Sequence, residues 1–159
     1  MLEIARVPYD HPDALTLMER VQAIYVDRYG GPDSSPMDAE EFTPPTGAFF
    51  VGYLEGVPVA SGAWRHVGLE ALGSTATAEL KRMYVVEEAQ RRGFARRMLA
   101  HLEGAARAAG HDVLVLTTGD RQPEAITLYG SSGYERLNLG WGPYACHPGA
   151  LFFAKRLTP

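Results

Sequence analysis

The sequence predicts an α+β (mixed α/β) fold: a central, twisted, mixed and mostly antiparallel sheet of about seven strands, flanked by about four helices, in a single domain over residues 1–159. Three observations predict it. Glu79–Gly110 reads as a strand, a basic turn and a long amphipathic helix, with Met98, Leu99, Leu102, Ala105, Ala106 and Ala109 at helical spacing and Arg96, Arg97, Glu103 and Arg107 on the other face. The apolar run His111–Thr117 lies between two helical patterns, as a strand buried on both faces does, and should run parallel to Leu80–Val86. Ala48–Leu54 and Val57–His66 flank Glu55-Gly56, a hairpin signal.

The remaining elements follow in chain order. Leu2, Ile4 and Val7 form a first strand that Pro8 ends, and Asp10 is expected to cap a helix with Pro12 and Asp13 in its first turn. Its buried stripe is Ala14, Leu17, Met18, Val21, Ile24 and Tyr25, and Gly30-Gly31-Pro32 stops it. Asp33–Pro45 is loop-like, with a short helix at Asp38–Phe42, and the small residues of Val67–Ala78 forbid regular structure. Pro123 and Glu124 begin a further helix with Ile126, Leu128 and Tyr129 facing in, and Gly133 ends it. Two strands close the chain, the last near Ala150–Ala154, separated by Gly140-Trp141-Gly142-Pro143.

Composition narrows the function. Apolar residues make up 46% and charged residues 21%, the balance of an ordinary globular protein. The net charge of −4 argues against nucleic acid as a partner, so Arg91, Arg92, Arg96 and Arg97 form a local basic feature suited to a small polyanion. No apolar run spans a bilayer and no signal-peptide layout opens the chain, so a cytoplasmic protein with no membrane partner is expected. The lone Cys146 fits a reducing compartment. His11, His66, His101, His111 and His147 lack ligand spacing, so no metal is expected.

A strand turning through basic residues and a glycine into a helix presents unpaired N–H groups and the positive end of the helix dipole to one point, where phosphate binds. The residues at that turn, Gln90-Arg91-Arg92-Gly93-Phe94-Ala95, resemble the Gln/Arg-x-x-Gly-x-Gly/Ala loop of the GCN5-related N-acetyltransferase superfamily (GNAT). A second element, Ala125–Tyr134, is also similar, and the order of elements matches that superfamily's sheet.

The resemblance implies acetyl-coenzyme A as cofactor, with its diphosphate on Gln90, Arg91, Arg92, Gly93, Phe94, Ala95 and Arg96. It implies a splay between the parallel strands, opened by a bulge, where the pantetheine arm meets Met83, Tyr84 and Val85. The N–H of Met83 or its neighbour would polarise the thioester carbonyl. Gln122 and Ala125 complete the cofactor set, although many members place Asn where Gln122 stands. Tyr129 matches the tyrosine placed near the sulfur as general acid. A phenol of pKa ~10 is a weaker acid than a thiol of pKa ~8.5, so hydrogen bonding to the developing thiolate is the more economical role.

The acceptor amine arrives largely as ammonium and must lose a proton. Glu79, expected to open the central strand, is the first candidate base, and His66 the second. Proximity alone can carry much of the rate without a dedicated base. Acceptor recognition is expected from Tyr25, Arg28 and Tyr29, from Asp33–Phe42, from Trp64 and Arg65, and from Trp141 and Tyr144. Mixed Arg and Tyr suit a small amine such as an amino acid. The expected activity is therefore N-acetyl transfer by direct attack of a small-molecule amine within a ternary complex. A non-catalytic acyl-coenzyme A sensor on the same fold is the alternative, one that could lose Tyr129 and Glu79 without consequence. The superfamily often pairs through its C-terminal strands, which leaves a homodimer open.

Overall fold

In the computed structural model, which describes residues 1–34 and 37–157, the chain builds one seven-stranded sheet. The elements are β1 (Leu2–Val7), α1 (Pro12–Tyr29), a 3-10 turn (Ala39–Phe42), β2 (Gly47–Leu54), β3 (Val57–His66), β4 (Thr77–Val85), α2 (Phe94–Ala108), β5 (Val113–Gly119), α3 (Pro123–Ser131), β6 (Glu135–Leu137) and β7 (Ala150–Arg156). Strand order is β1-β2-β3-β4-β5-β7-β6, antiparallel throughout except for β4 and β5. Among the described residues there are three α-helices. The short helix expected at Asp38–Phe42 is a single 3-10 turn, capped by Asp38. Ser35 and Pro36 of the expected loop lie outside the described residues.

Helix α1 begins at Pro12, but its cap is His11 rather than Asp10. The chain first turns through Pro8–His11, with His11 N–H bonded to the Pro8 carbonyl at 3.0 Å. The His11 ring then accepts from Asp13 N–H at 3.1 Å, and Asp10 is left one residue too early to reach the orphan donors. Ala14, Leu17, Met18 and Val21 are buried, while Ile24 and Tyr25 pack at the edge of the core.

The sheet is covered on both sides, which is why the antiparallel β2 reads as a continuous apolar run. Phe50 meets His101 of α2 edge-on at 4.6 Å between ring centroids, whereas its neighbour Phe49 packs against Tyr9 at 6.0 Å on the other face. Helix α2 buries Phe94, Met98, Leu99, Leu102 and Ala106, as its periodicity requires.

Two boundaries moved in concert. Strand β4 starts at Thr77, two residues before the expected start, and β5 starts two residues after its own. Asp112 N–H bonds the Ala76 carbonyl at 2.8 Å, which brings Thr77 level with Val113. Thr77 is further fixed by its hydroxyl on the Leu69 carbonyl at 2.7 Å. Glu79 is therefore the third residue of β4, buried, and not its opening residue.

Candidate active site

Strands β4 and β5 pair over three residues only: Thr77 with Val113, Ala78 with Leu114 and Glu79 with Val115. Beyond that seam β4 continues to Val85 along β3, and β5 continues to Gly119 along β7. A gap opens between them at their C-terminal ends, the place where open sheets bind ligands.

A bulge in β4 starts just past the seam. Ala63 lies opposite Lys81 and Ser61 opposite Tyr84, so one extra residue of β4 is accommodated between those pairs. Arg82 there has φ of 55°, a conformation costing a non-glycine residue about 1–3 kcal/mol. Its carbonyl accepts from the Ser61 hydroxyl at 2.7 Å. The extra residue also flips the alternation, so that Lys81 and Tyr84 share a face although three residues apart.

After β4 the chain passes a short turn at Glu87–Ala89, where the Gln90 amide donates to the Val85 carbonyl at 2.9 Å and ties the loop to the strand end. Arg91 and Gly93 both have positive φ, 64° and 81°, and a Cβ added at Gly93 would meet nothing within 4 Å. Among the described residues no side chain caps α2, which leaves the orphan N–H groups of its first turn beside that open space. Arg91 and Arg92 are exposed, Arg92 lying 5.0 Å over the Phe94 ring. Arg96 is engaged elsewhere, donating to the hydroxyls of Ser131 at 2.7 Å and Ser132 at 3.3 Å. An open, uncapped N-terminus behind a left-handed glycine fits a diphosphate, and the gap fits an extended amide-bearing arm.

On the α1 side of the sheet the gap widens into a cleft of about 510 Å³, lined by Tyr25, Tyr29, Arg65, Glu79, Lys81, Thr117, Gln122, Trp141, Tyr144 and neighbouring loop residues. Gly119 lies at its floor, where a side chain would overlap the Tyr29 hydroxyl. That hydroxyl accepts from Arg121 N–H at 3.1 Å, and Arg28 pairs with Glu124, so the end of α1 is fastened to the start of α3. Burial pushes the Tyr25 phenol up to about 12, opposed by nearby Arg82.

Two charge clusters shape the wall. Arg65 donates to Glu79 Oε1 through Nε at 3.0 Å and Nη2 at 2.9 Å, reaches Glu41 at 3.2 Å, and lies 5.7 Å over Phe42. Trp141 donates to Glu79 Oε2 at 3.3 Å. In the second cluster the Asp33 carboxylate meets Arg82 at 2.6 Å, Lys81 at 3.3 Å and the Tyr144 hydroxyl at 2.9 Å. Burial lowers the Lys81 ammonium, against the opposing pull of Asp33 and Glu79. The sequence placed Asp33 in a loop expected to recognise the acceptor and gave Lys81 and Arg82 no role. The signal was present: two adjacent cations inside a largely buried strand that carries a single carboxylate, Glu79, need a further buried anion.

Tyr129 is buried on α3 against Tyr134 and Phe153, with centroids 5.5 and 6.2 Å away. Burial, with a smaller contribution from Tyr25, holds its phenol well above the ordinary value. Trp64 and His66 are not brought into the cleft. Both point to the α2 side of β3, where Trp64 meets the His111 ring edge-on at 5.1 Å and His66 Nδ1 lies 3.1 Å from His111 Nε2. Alternation along β3 puts Arg65, between them, on the cleft side. Among the described residues no helix is long and apolar enough to cross a membrane, and no group of three or more His, Cys, Asp or Glu is placed to hold a metal ion.

Comparisons with known proteins agree with this architecture. The family model described as Acetyltransferase (GNAT) family matches residues 18–134. An IAA acetyltransferase of Azospirillum brasilense is 32% identical over 141 residues, covering 89% of this chain and 88% of that protein. A candidate acyl-CoA N-acyltransferase from Klebsiella pneumoniae superposes with a TM-score of 0.80 at 25% identity, over 99% of each chain. A candidate acetyltransferase, yncA of Salmonella typhimurium, was solved with its cofactor acetyl-CoA and superposes with a TM-score of 0.73 at 19% identity, over 99% of this chain and 94% of that one.

Proposed function

The chain belongs to the acetyltransferase (GNAT) family, and from that premise we propose that it acetylates the amine of a small molecule by direct attack within a ternary complex. It is an acetyl-CoA-dependent acyltransferase. The observation that carries the finer reading is the seam: strand pairing stops at Glu79 and Val115, and the cleft opens at the same point. Acetyl-CoA supplies a thioester whose carbonyl carbon is the electrophile.

The chain's own residues then divide the work. The first-turn N–H groups behind Gly93, with Arg91 and Arg92, hold the diphosphate. The main chain at Met83–Val85 and the Gln122–Ala125 turn line the arm's path. A main-chain N–H at Met83 donates to the carbonyl oxygen as charge develops there, where a fixed donor is worth most. Tyr129, kept protonated by burial, donates a hydrogen bond to the departing sulfur and need not surrender its proton fully. Glu79 takes the ammonium proton through Oε2 or a water beside it, while Arg65 holds the carboxylate in place. Tyr25, Tyr29 and Tyr144 frame the acceptor.

A cleft of about 510 Å³ suits a metabolite-sized acceptor. Opposed charge clusters, Arg65 with Glu79 and Asp33 with Lys81, support a zwitterion such as an amino acid. The reading extends to one cytoplasmic domain that meets its acceptor without nucleic acid or membrane. The test is a panel of amines and amino acids assayed by free-thiol release. The compound abbreviated IAA in the relative's name belongs on that panel. Saturable release with one small-amine class supports the reading, and release only with protein N-termini or lysine peptides overturns it.

A further inference from the structure

The β4 bulge is gripped from both sides by residues outside the cofactor loop. From β3, the Ser61 hydroxyl takes the Arg82 carbonyl that the bulge turns out of the ladder, at 2.7 Å. From the loop after α1, the Asp33 carboxylate takes the buried Arg82 guanidinium at 2.6 Å. Asp33 is itself anchored: its N–H donates to the Gln22 side-chain oxygen at 2.8 Å, and its carbonyl accepts from the Gln22 amide at 3.2 Å. Among the described residues Arg82 Nε is buried with no acceptor, and the guanidinium pairs with the Asp33 carboxylate. The left-handed backbone of Arg82 is a conformation a non-glycine residue leaves unless its surroundings hold it.

We propose that Asp33 is a positioning residue for acetyl transfer: through Arg82, and with Ser61 opposite, it holds the bulged main chain of β4 in the conformation that serves the thioester. The proposal rests on the reading that this main chain binds the thioester carbonyl. Neither residue touches the reacting atoms. Their effect is transmitted through Arg82 to the neighbouring Met83 amide, where a displacement of about 1 Å costs on the order of 100-fold in rate.

The test separates this role from mere shaping of the acceptor cleft, which Asp33 also borders. Hydroxylamine is a small nucleophile, neutral at pH 7, that needs no fitted cleft. Its nitrogen bonds to the acetyl carbon, the carbon–sulfur bond breaks, and the thiolate takes up the proton the nitrogen loses, giving acetohydroxamate and free thiol. For Asp33→Asn in the full chain, kcat with saturating hydroxylamine should fall on the order of 10-fold to 100-fold while the acetyl-CoA Kd stays unchanged by calorimetry. Ser61→Ala should show the same split, and Arg82→Lys should retain more of the rate than Arg82→Met. Should Asp33→Asn not fold, the Ser61 and Arg82 pairs decide the matter alone. Undiminished hydroxylamine turnover in Asp33→Asn or Ser61→Ala, or a loss confined to acceptor KM, overturns the proposal. Wild-type protein that binds acetyl-CoA yet acetylates neither hydroxylamine nor any amine removes the underlying reading, and the proposal with it.

Discussion

Gly93 allows strain and charge to be separated in one experiment. With φ of 81° and nothing within 4 Å of an added Cβ, a substitution there meets no clash and only the cost of a left-handed backbone. For alanine that cost is about 1–2 kcal/mol. In a chain of 159 residues this corresponds to a Tm lowered by roughly 2–8 °C. Aspartate tolerates the left-handed region better than alanine, so Gly93→Asp should melt above Gly93→Ala without ligand. Affinity should run the other way. A carboxylate about 5 Å from a diphosphate charge is repelled by roughly 1–3 kcal/mol per charge at an effective dielectric between 80 and 20. Summed over two charges, that weakens acetyl-CoA by on the order of 100-fold or more. Calorimetric titration of acetyl-CoA into both variants, with melting curves of each, reads the two quantities separately. An unchanged Kd for Gly93→Asp, or affinities that merely follow the melting temperatures, would refute the assignment of this turn to the diphosphate.

Three further outcomes are expected. Tyr129→Phe should lower kcat roughly 10-fold to 150-fold, the value of one hydrogen bond to a developing anion, with acetyl-CoA Kd unchanged; equal turnover would remove its role. Glu79→Gln should lower kcat and cost about 1–3 kcal/mol of stability, because Arg65 keeps Glu41 but exchanges its mostly buried carboxylate partner for a neutral amide. Thermal melting with no loss would show that Glu41 alone can hold Arg65. His111 donates through Nδ1 to the Ala106 carbonyl, and burial lowers its pKa. The unfolded chain therefore binds more protons at this site below pH ~6.5, and stability present above that pH drains as pH falls toward the lower folded value. Melting measured between pH 7 and pH 5.5 should show this slope, and His111→Gln should reduce it.

Element order was legible because it rests on local signals. Pro12 and Pro123 start helices, Gly30 and Gly110 end them, and the stripes of α1 and α2 are plain at their own period. The turn at Gln90–Ala95 between β4 and α2 was legible for the same reason, being one continuous stretch. The β4 bulge was expected from the family resemblance alone: one extra residue reverses the alternation after Lys81, and no pattern within β4 announces it. What escaped notice depends on placement across the sheet. Trp64 and Arg65 are adjacent, so only the sheet's two sides could tell which one meets the cleft. Asp33 and Arg82 are separated by about fifty positions, and their ion pair exists only once α1 lies across β4. The insertion of β7 between β5 and β6 likewise follows from packing and not from any motif.

The three-residue seam between β4 and β5 makes the sheet two slabs joined at one corner, β1 to β4 on one side and β5, β7 and β6 on the other. A bound arm that bonds to both lips would act as a missing rung, converting a hinged pair into one continuous ladder. Ligand binding and the rigidity of the sheet would then be a single quantity, with the acetyl donor a temporary structural member as well as a reactant.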